Sequence, residues 1–159
     1  MRKKIFLTVF FILAVLIDQA SKFAVDSRYN LYDSRSIIGN VLQLRYIRNS
    51  GAAFGISFGN ETVMLVVTVI VTGLLVYMFF SGKITPGSVI GDSALVLVIA
   101  GAVGNLIDRI RMREVIDFID MGIGHHRWPT YNVADIYVTC GMIVLIISFM
   151  LYPETSDSG

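Results

Sequence analysis

Four stretches of this chain are long and apolar enough to cross a bilayer, and that property decides most of what it can fold into. They cover about residues 5–25, 63–80, 88–107 and 133–152. A helix needs roughly 20 mostly apolar residues to span the hydrocarbon core. Lipid offers the backbone no hydrogen bonds, so each stretch must satisfy its own peptide groups as a helix. Composition agrees. The chain is 55% hydrophobic and 16% charged, with a mean hydropathy of +0.70, whereas soluble domains are roughly 45–50% apolar and about 25% charged. Its 159 residues and net charge of +1 fit one domain and give no electrostatic reason to bind nucleic acid.

The expected fold is therefore a polytopic α-helical membrane protein with four transmembrane helices and a single membrane-embedded domain over residues 1–159. "MRKK" followed by "IFLTVFFILAVLI" has the n- and h-regions of a signal peptide. The segment continues apolar past "DQASK" through "FAV", so an uncleaved first span is expected. Arg2, Lys3 and Lys4 place the N-terminus in the cytoplasm by the positive-inside rule. With four spans both termini are then cytoplasmic, and the loops 26–61 and 108–132 lie outside. Arginines in those loops (Arg28, Arg35, Arg45, Arg48, Arg109, Arg111, Arg113, Arg127) oppose this count. The first helix usually dominates, and structure or lipid phosphates can hold outside arginines.

The outer loops have their own patterning. "IIGNVLQLRYIRN" alternates in part and reads as short strands. "NSGAAFGISFGN" is turn-rich, with Gly51, Gly55 and Gly59 permitting tight backbone. A small β-rich extracytoplasmic subdomain, lying on the membrane against the helix ends, is expected, together with a second outer loop. "SGKITPG" is a short helix-hairpin turn, and the tail "PETSDSG" reads as frayed. Cys140 is the only cysteine; in its apolar run it reads as a small buried filler.

Ionisable groups within spans cost about 2.5–3.5 kcal/mol on insertion scales and are functional candidates by default. Asp18 and Lys22, four apart, share a helix face and can pair. Asn105, Asp108 and Arg109 share a face in "GAVGNLIDR", preceded by Gly101 and Gly104, small residues that let helices approach. Asn132 and Asp135 open the fourth span. Asn132 can cap that helix by accepting from the Asp135 N–H, and the helix dipole favours a carboxylate at Asp135. In "REVIDFIDMG", an extended chain sends Val115, Asp117 and Ile119 to one side, whereas a helix makes Glu114, Asp117 and Asp120 one stripe.

These groups fall at span ends on the same outer side, and one loop separates Asp117 from Asp135. Two close carboxylates in a low dielectric share a proton. That meets the need of an aspartic peptidase, in which one carboxylate takes a proton from water and the protonated one polarises the scissile carbonyl. Buried Asp, Asn and Arg also line ion pathways, but here they gather at one face, and four spans are few. A lipid phosphatase gripping phosphate through Arg109, Arg111 and Arg113 would lack a nucleophilic histidine arrangement. His125 and His126 diverge and have no carboxylate at ligand spacing.

The chain resembles the bacterial lipoprotein signal peptidases (signal peptidase II) over nearly its whole length. The resemblance rests on "DQASK", "NSGAAFG", "GNLIDR", "VIDF" and "YNVAD" in that order on four spans. Tyr131 stands where phenylalanine is commoner. The resemblance implies an aspartic endopeptidase with no metal and no cofactor. It would cleave diacylglyceryl-modified prolipoproteins just before the lipidated cysteine, in the bacterial cytoplasmic membrane, with its active site toward the extracytoplasmic face. The implied partners are lipidated prolipoprotein signal peptides, membrane lipids and globomycin-type peptide inhibitors. The implied dyad is Asp117 and Asp135. The other family positions map onto Asp18, Lys22, Asn49, Gly51, Gly101, Asn105, Asp108, Arg109, Asn132 and Ala134. Asn105 and Arg109 would position substrate or stabilise the oxyanion, and Asn49 would hold the first loop over the site. Asp18 with Lys22, and Asp108, would brace the fold. Asp135 is expected to be the base and Asp117 to carry the proton. Glu114 and Asp120 have neither partner nor motif and are expected to be solvated.

Overall fold

A computed structural model of the chain describes residues 1–53, 56–57, 60–82, 84–85 and 88–151. Its elements are α1 (Arg2–Asp26), β1 (Ser34–Ile38), β2 (Leu42–Asn49), β3 (Ala52–Ala53), β4 (Ile56–Ser57), α2 (Glu61–Ser81), α3 (Val89–Met112), β5 (Val115–Ile123), β6 (His126–Arg127) and α4 (Val133–Leu151). All four helices are long and apolar enough to cross a membrane, as expected. Gly55, Gly59, parts of the α2–α3 turn and the tail from residue 152 onward lie outside the described residues.

The helices differ in what they face. α3 packs against each of the other three, and 50% of its most apolar stretch is buried in protein, against 6% for α2. α2 therefore turns most of its Val, Ile and Leu toward lipid. Ala94, Leu95, Val98, Ile99 and Leu145 form the core between α3 and α4. Close approach there depends on missing side chains. A methyl at Gly141 would sit 2.6 Å from Val98 Cγ2 and 2.8 Å from the Ala94 carbonyl oxygen. Small residues that admit a neighbouring backbone are how helices pack where lipid removes any hydrophobic drive between them.

α3 is longer than the expected span. It runs past Ile107 to Met112, so Asp108 and Arg109 are helical rather than the start of a loop. Arg113 ends it in the left-handed conformation, at φ 65°, and turns the chain straight into β5. The stretch 115–123 is thus a strand.

The sheet has the order β1-β2-β5-β6. β1 and β2 pair antiparallel, in the stretch whose partial alternation reads as short strands. β2 also pairs antiparallel with β5, with Ile47 opposite Asp117 and Asn49 opposite Val115. Tyr46 fastens this sheet to the end of α1. It is buried with Val25 and Ile116, its hydroxyl donates to the Asp26 carboxylate, and Arg48 Nη2 bonds the same carboxylate at 3.2 Å.

Candidate active site

Backbone pairing brings the two aspartates together. Tyr131, just ahead of α4, bonds Ile119 in both directions: its N–H donates to the Ile119 carbonyl at 3.1 Å and its carbonyl accepts from the Ile119 N–H at 2.8 Å. The first turn of α4 is thereby held beside β5. Asp117 lies two residues before Ile119 on β5, and Asp135 four residues after Tyr131.

Three asparagines surround the pair. Asn49 Nδ2 donates to Asp117 Oδ2 at 3.0 Å, a diagonal cross-strand contact set by the β2–β5 register. Asn132 Nδ2 donates to Asp117 Oδ1 at 2.7 Å. Asn105 Nδ2 donates to Asp135 Oδ1 at 2.8 Å. Each amide is oriented by a group that can only donate. The Gly51 N–H, at 3.0 Å, holds Asn49 Oδ1. The Asp135 N–H, at 3.1 Å, holds Asn132 Oδ1. The Lys22 ammonium, at 2.9 Å, holds Asn105 Oδ1. All three NH2 groups consequently face carboxylates.

Asp117 is buried, and burial pushes its carboxyl up to about 7. The neighbouring Asp135 charge adds to the rise, while the amide donors of Asn49 and Asn132 and the charge of Lys22 oppose it. Arg109 lies in the field of both aspartates and of Asp108, and its Nε is buried with no hydrogen-bond partner among the described residues.

Behind the asparagines, Lys22 bonds Asp18 at 3.0 Å and Asp108 at 2.9 Å. The expected Asp18–Lys22 pair is thus a triad. Asp18 Oδ1 accepts the Ala134 N–H at 2.9 Å, an N–H that the start of α4 would otherwise leave unpaired. Asp108 Oδ2 accepts the Ile116 N–H at 3.3 Å, tying α3 to β5. Gln19, a residue of "DQASK" that the sequence does not mark as part of the site, donates toward Asp18, Asp108 and the Gly104 carbonyl. Its signal was its place one residue from Asp18 in a span. Glycines make room for this cluster. A methyl at Gly104 would meet the Asp18 carboxylate, and one at Gly101 the Ala134 carbonyl oxygen. Gly51 has φ +131°, and a methyl there would meet Met64.

Two expectations are corrected. Asp120 is not solvated: it is 2% exposed and pairs with Arg127 Nε at 2.7 Å, because the β5–β6 hairpin folds Arg127 back over it. Cys140 is not buried but exposed. An apolar run in a membrane helix need not face a protein core, and Cys140 lines an open cleft.

Asp117 and Asp135 open onto a cleft of about 760 Å³, whose walls include Met64, Trp128, Tyr131, Ile136 and Cys140. Carboxylates and amides share its lining with apolar side chains, the composition of a ligand cleft with a few placed polar groups. Among the described residues no group of three or more His, Cys, Asp or Glu side chains is arranged to hold a metal.

The family model described as "Signal peptidase (SPase) II" matches residues 10–151. A lipoprotein signal peptidase of Syntrophus aciditrophicus is 38% identical over 143 residues, covering 87% of this chain and 88% of its own. One from Staphylococcus aureus is 37% identical over 160 residues, covering 99% and 96%. Two solved bacterial membrane enzyme structures superpose with TM-scores of 0.79 and 0.76. They are 32% and 34% identical and cover 96% and 94% of this chain and 92% and 94% of their own.

Proposed function

Because this chain belongs to the signal peptidase II family, we propose that it cleaves lipidated prolipoproteins before the modified cysteine, with Asp117 and Asp135 as its catalytic dyad. The observation that carries this reading is the set of asparagine amides aimed at two carboxylates on the wall of an apolar cleft. Asp135 takes a proton from water. The resulting hydroxide attacks the scissile carbonyl carbon, and Asp117, protonated, donates to the carbonyl oxygen. The tetrahedral intermediate collapses as the C–N bond breaks: the leaving amine takes the proton that Asp135 gained from water, and the gem-diol hydroxyl returns a proton to Asp117 as the new carboxyl forms. The assignment follows from the raised Asp117 carboxyl and from the place of Asp135 in the first turn of α4, where the helix dipole favours negative charge.

Arg109, with an uncommitted Nε, is the group proposed to meet the substrate backbone or the oxyanion. Asn105 spends its amide on Lys22, Asn132 and Asp135, so its proposed role is to hold the dyad. Asn49, Gly51, Asn132 and Ala134 shape the same wall, while Asp18, Lys22, Asp108 and Gly101 support it. A globomycin-type peptide would occupy the cleft. The domain is one membrane-embedded peptidase unit over residues 1–159, in the bacterial cytoplasmic membrane, with cytoplasmic termini and the dyad toward the extracytoplasmic face. A reporter fused after Gly159 tests that orientation, and an extracytoplasmic signal would reverse it.

The direct test compares Asp117→Asn and Asp135→Asn with wild type on a diacylglyceryl-modified precursor and its unlipidated form. Each variant is expected to lose roughly 10²–10⁴-fold or more in rate, and the unlipidated form to remain uncut. Near-wild-type cleavage by either variant rejects the dyad. Equal cleavage of both precursors rejects the lipid requirement.

A further inference from the structure

The Lys22 ammonium has three hydrogens and three acceptors: Asp18 Oδ2 at 3.0 Å, Asp108 Oδ2 at 2.9 Å and Asn105 Oδ1 at 2.9 Å. Its side chain is 2% exposed. An ammonium can only donate, so the Asn105 atom facing it must be the carbonyl oxygen. The amide nitrogen is then the atom that meets Asp135 Oδ1, at 2.8 Å. Flipping the amide would set N–H against the ammonium and oxygen against a carboxylate, which is repulsive at both ends. Asn132 Nδ2 also donates to Asn105 Oδ1, at 3.1 Å, but a neutral donor is about half as strong as a charged one.

We infer that Lys22 is a positioning residue: held between Asp18 and Asp108, it fixes the Asn105 amide so that an N–H donor always faces Asp135. This inference rests on the proposed dyad. It makes the buried triad more than a brace, because the lysine passes its restraint through one amide to the carboxylate proposed as the base. Asp18 on α1 and Asp108 on α3 face Lys22 directly. Arg109 on α3 lies in the field of Asp108, Asp117 and Asp135, Asp117 on β5 feels the charges of Lys22 and Asp135, and Tyr137 on α4 feels that of Asp18. Electrostatics alone therefore also link Lys22 to the dyad, and the experiment must separate bulk charge from the amide.

Removing Lys22 alone would strand two buried carboxylates; Lys22→Met with Asp108→Asn leaves only Asp18, which keeps Gln19 Nε2 and the Ala134 N–H as donors. Purified full-length protein in detergent is assayed on a lipidated precursor across pH, with the thermal midpoint measured beside it. The expected result is a kcat lower by about ten- to a hundred-fold, as for one charge-assisted hydrogen bond, with KM little changed. The acid limb of kcat/KM is expected to move up by about one pH unit, as loss of a donor to an ionised carboxylate requires. In an Asn105→Ser background the same pair of substitutions should add nothing further. An unmoved acid limb overturns the inference, and so does an additive shift in that background, which would leave Lys22 a bulk electrostatic role. Lys22→Gln with Asp18→Asn is read in the same way if the first double variant does not accumulate folded. Asp135→Asn runs alongside: its inactivity with an unmoved Lys22-variant limb rejects only this inference, whereas its full activity rejects the dyad beneath it.

Discussion

Asn132 and Asp135 cap each other. The Asp135 N–H donates to Asn132 Oδ1 and the Asn132 N–H donates to Asp135 Oδ2, both at 3.1 Å. This reciprocal pair satisfies two backbone donors at the start of α4. It also sets chemistry, since it commits the Asn132 oxygen to the cap and leaves its NH2 for Asp117, at 2.7 Å. One residue thereby starts a helix and joins both proposed catalytic carboxylates.

The two roles can be separated. Serine caps about as well as asparagine but is too short to reach Asp117. Asn132→Ser is expected to keep the thermal midpoint within a few degrees and to lower kcat by on the order of 10²-fold, since a donor to a buried carboxylate is lost. Asn132→Ala should lose activity similarly and a further ~1 kcal/mol of stability from the cap. Cleavage rates and melting in detergent report both. An Asn132→Ser enzyme with wild-type kcat would remove the Asp117 contact from the mechanism.

The raised Asp117 carboxyl has consequences for both rate and stability. In the proposed mechanism its proton polarises the scissile carbonyl, so activity should fall as pH rises through about 7, the value to which burial pushes the group. For stability the sign follows from linkage. A carboxyl raised above its unfolded value of about 3.9 contributes stability fully below that value and loses it as pH rises through about 7. Wild type should therefore weaken relative to Asp117→Asn between about pH 4 and pH 7. The pH dependence is the readout rather than the offset, because asparagine presents an NH2 to one of the two donors now facing Asp117. A melting difference flat across that range counts against a raised Asp117.

Local signals made part of this arrangement legible in the sequence. The Asp18–Lys22 spacing gave the pair, the spacing of Asn132 and Asp135 gave the cap, and four apolar runs gave the helices. What stayed hidden depends on contacts far apart in the chain or on surroundings. The β2–β5 pairing joins Asn49 to Asp117 across nearly half the chain, and no local pattern encodes that register. Asp108 shares a helix face with Asn105 and Arg109 in the sequence, but no local spacing points to its ion pair with Lys22 on another helix. The strand conformation of 115–123 depends on Arg113 adopting positive φ, which its residue type disfavours. Cys140 reads as buried in the sequence and is exposed, because hydropathy does not distinguish the wall of an open cleft from a protein core.

Gly101 should be intolerant of a methyl group. Its added Cβ would meet the Ala134 carbonyl oxygen and lie 2.8 Å from Val138 Cγ2. A backbone oxygen yields only if α3 and α4 separate. Asp135 follows Ala134, so that separation also lengthens the Asn105–Asp135 bond. Gly101→Ala is expected to cost about 1–3 kcal/mol and most of the activity. Gly73→Ala on α2 is the control: nothing lies within 4 Å of its added Cβ, so its melting and cleavage should match wild type. Equal behaviour of the two variants would show that helix approach is not limiting at Gly101.

Asp120 and Asp117 lie on one strand and are equally buried at 2% exposure, yet substitution should separate them. Asp120 Oδ1 is held by Arg127 Nε at 2.7 Å, and Arg127 Nη1 goes on to the Asn40 carbonyl at 2.9 Å. This joins the β5–β6 hairpin to the β1–β2 turn and touches no residue of the proposed dyad. In Asp120→Asn the remaining oxygen still accepts from Arg127, and that guanidinium, with its side chain 26% exposed, can be solvated. The expected cost is about 1 kcal/mol, with cleavage within a few-fold of wild type. Arg127→Ala should be worse, by roughly 1–3 kcal/mol, because it leaves a buried acceptor without its donor, but the effect should appear in melting before it appears in kcat. A hundred-fold loss of kcat in folded Asp120→Asn would instead place this carboxylate in the machinery and reopen which acids of "REVIDFIDMG" do chemistry.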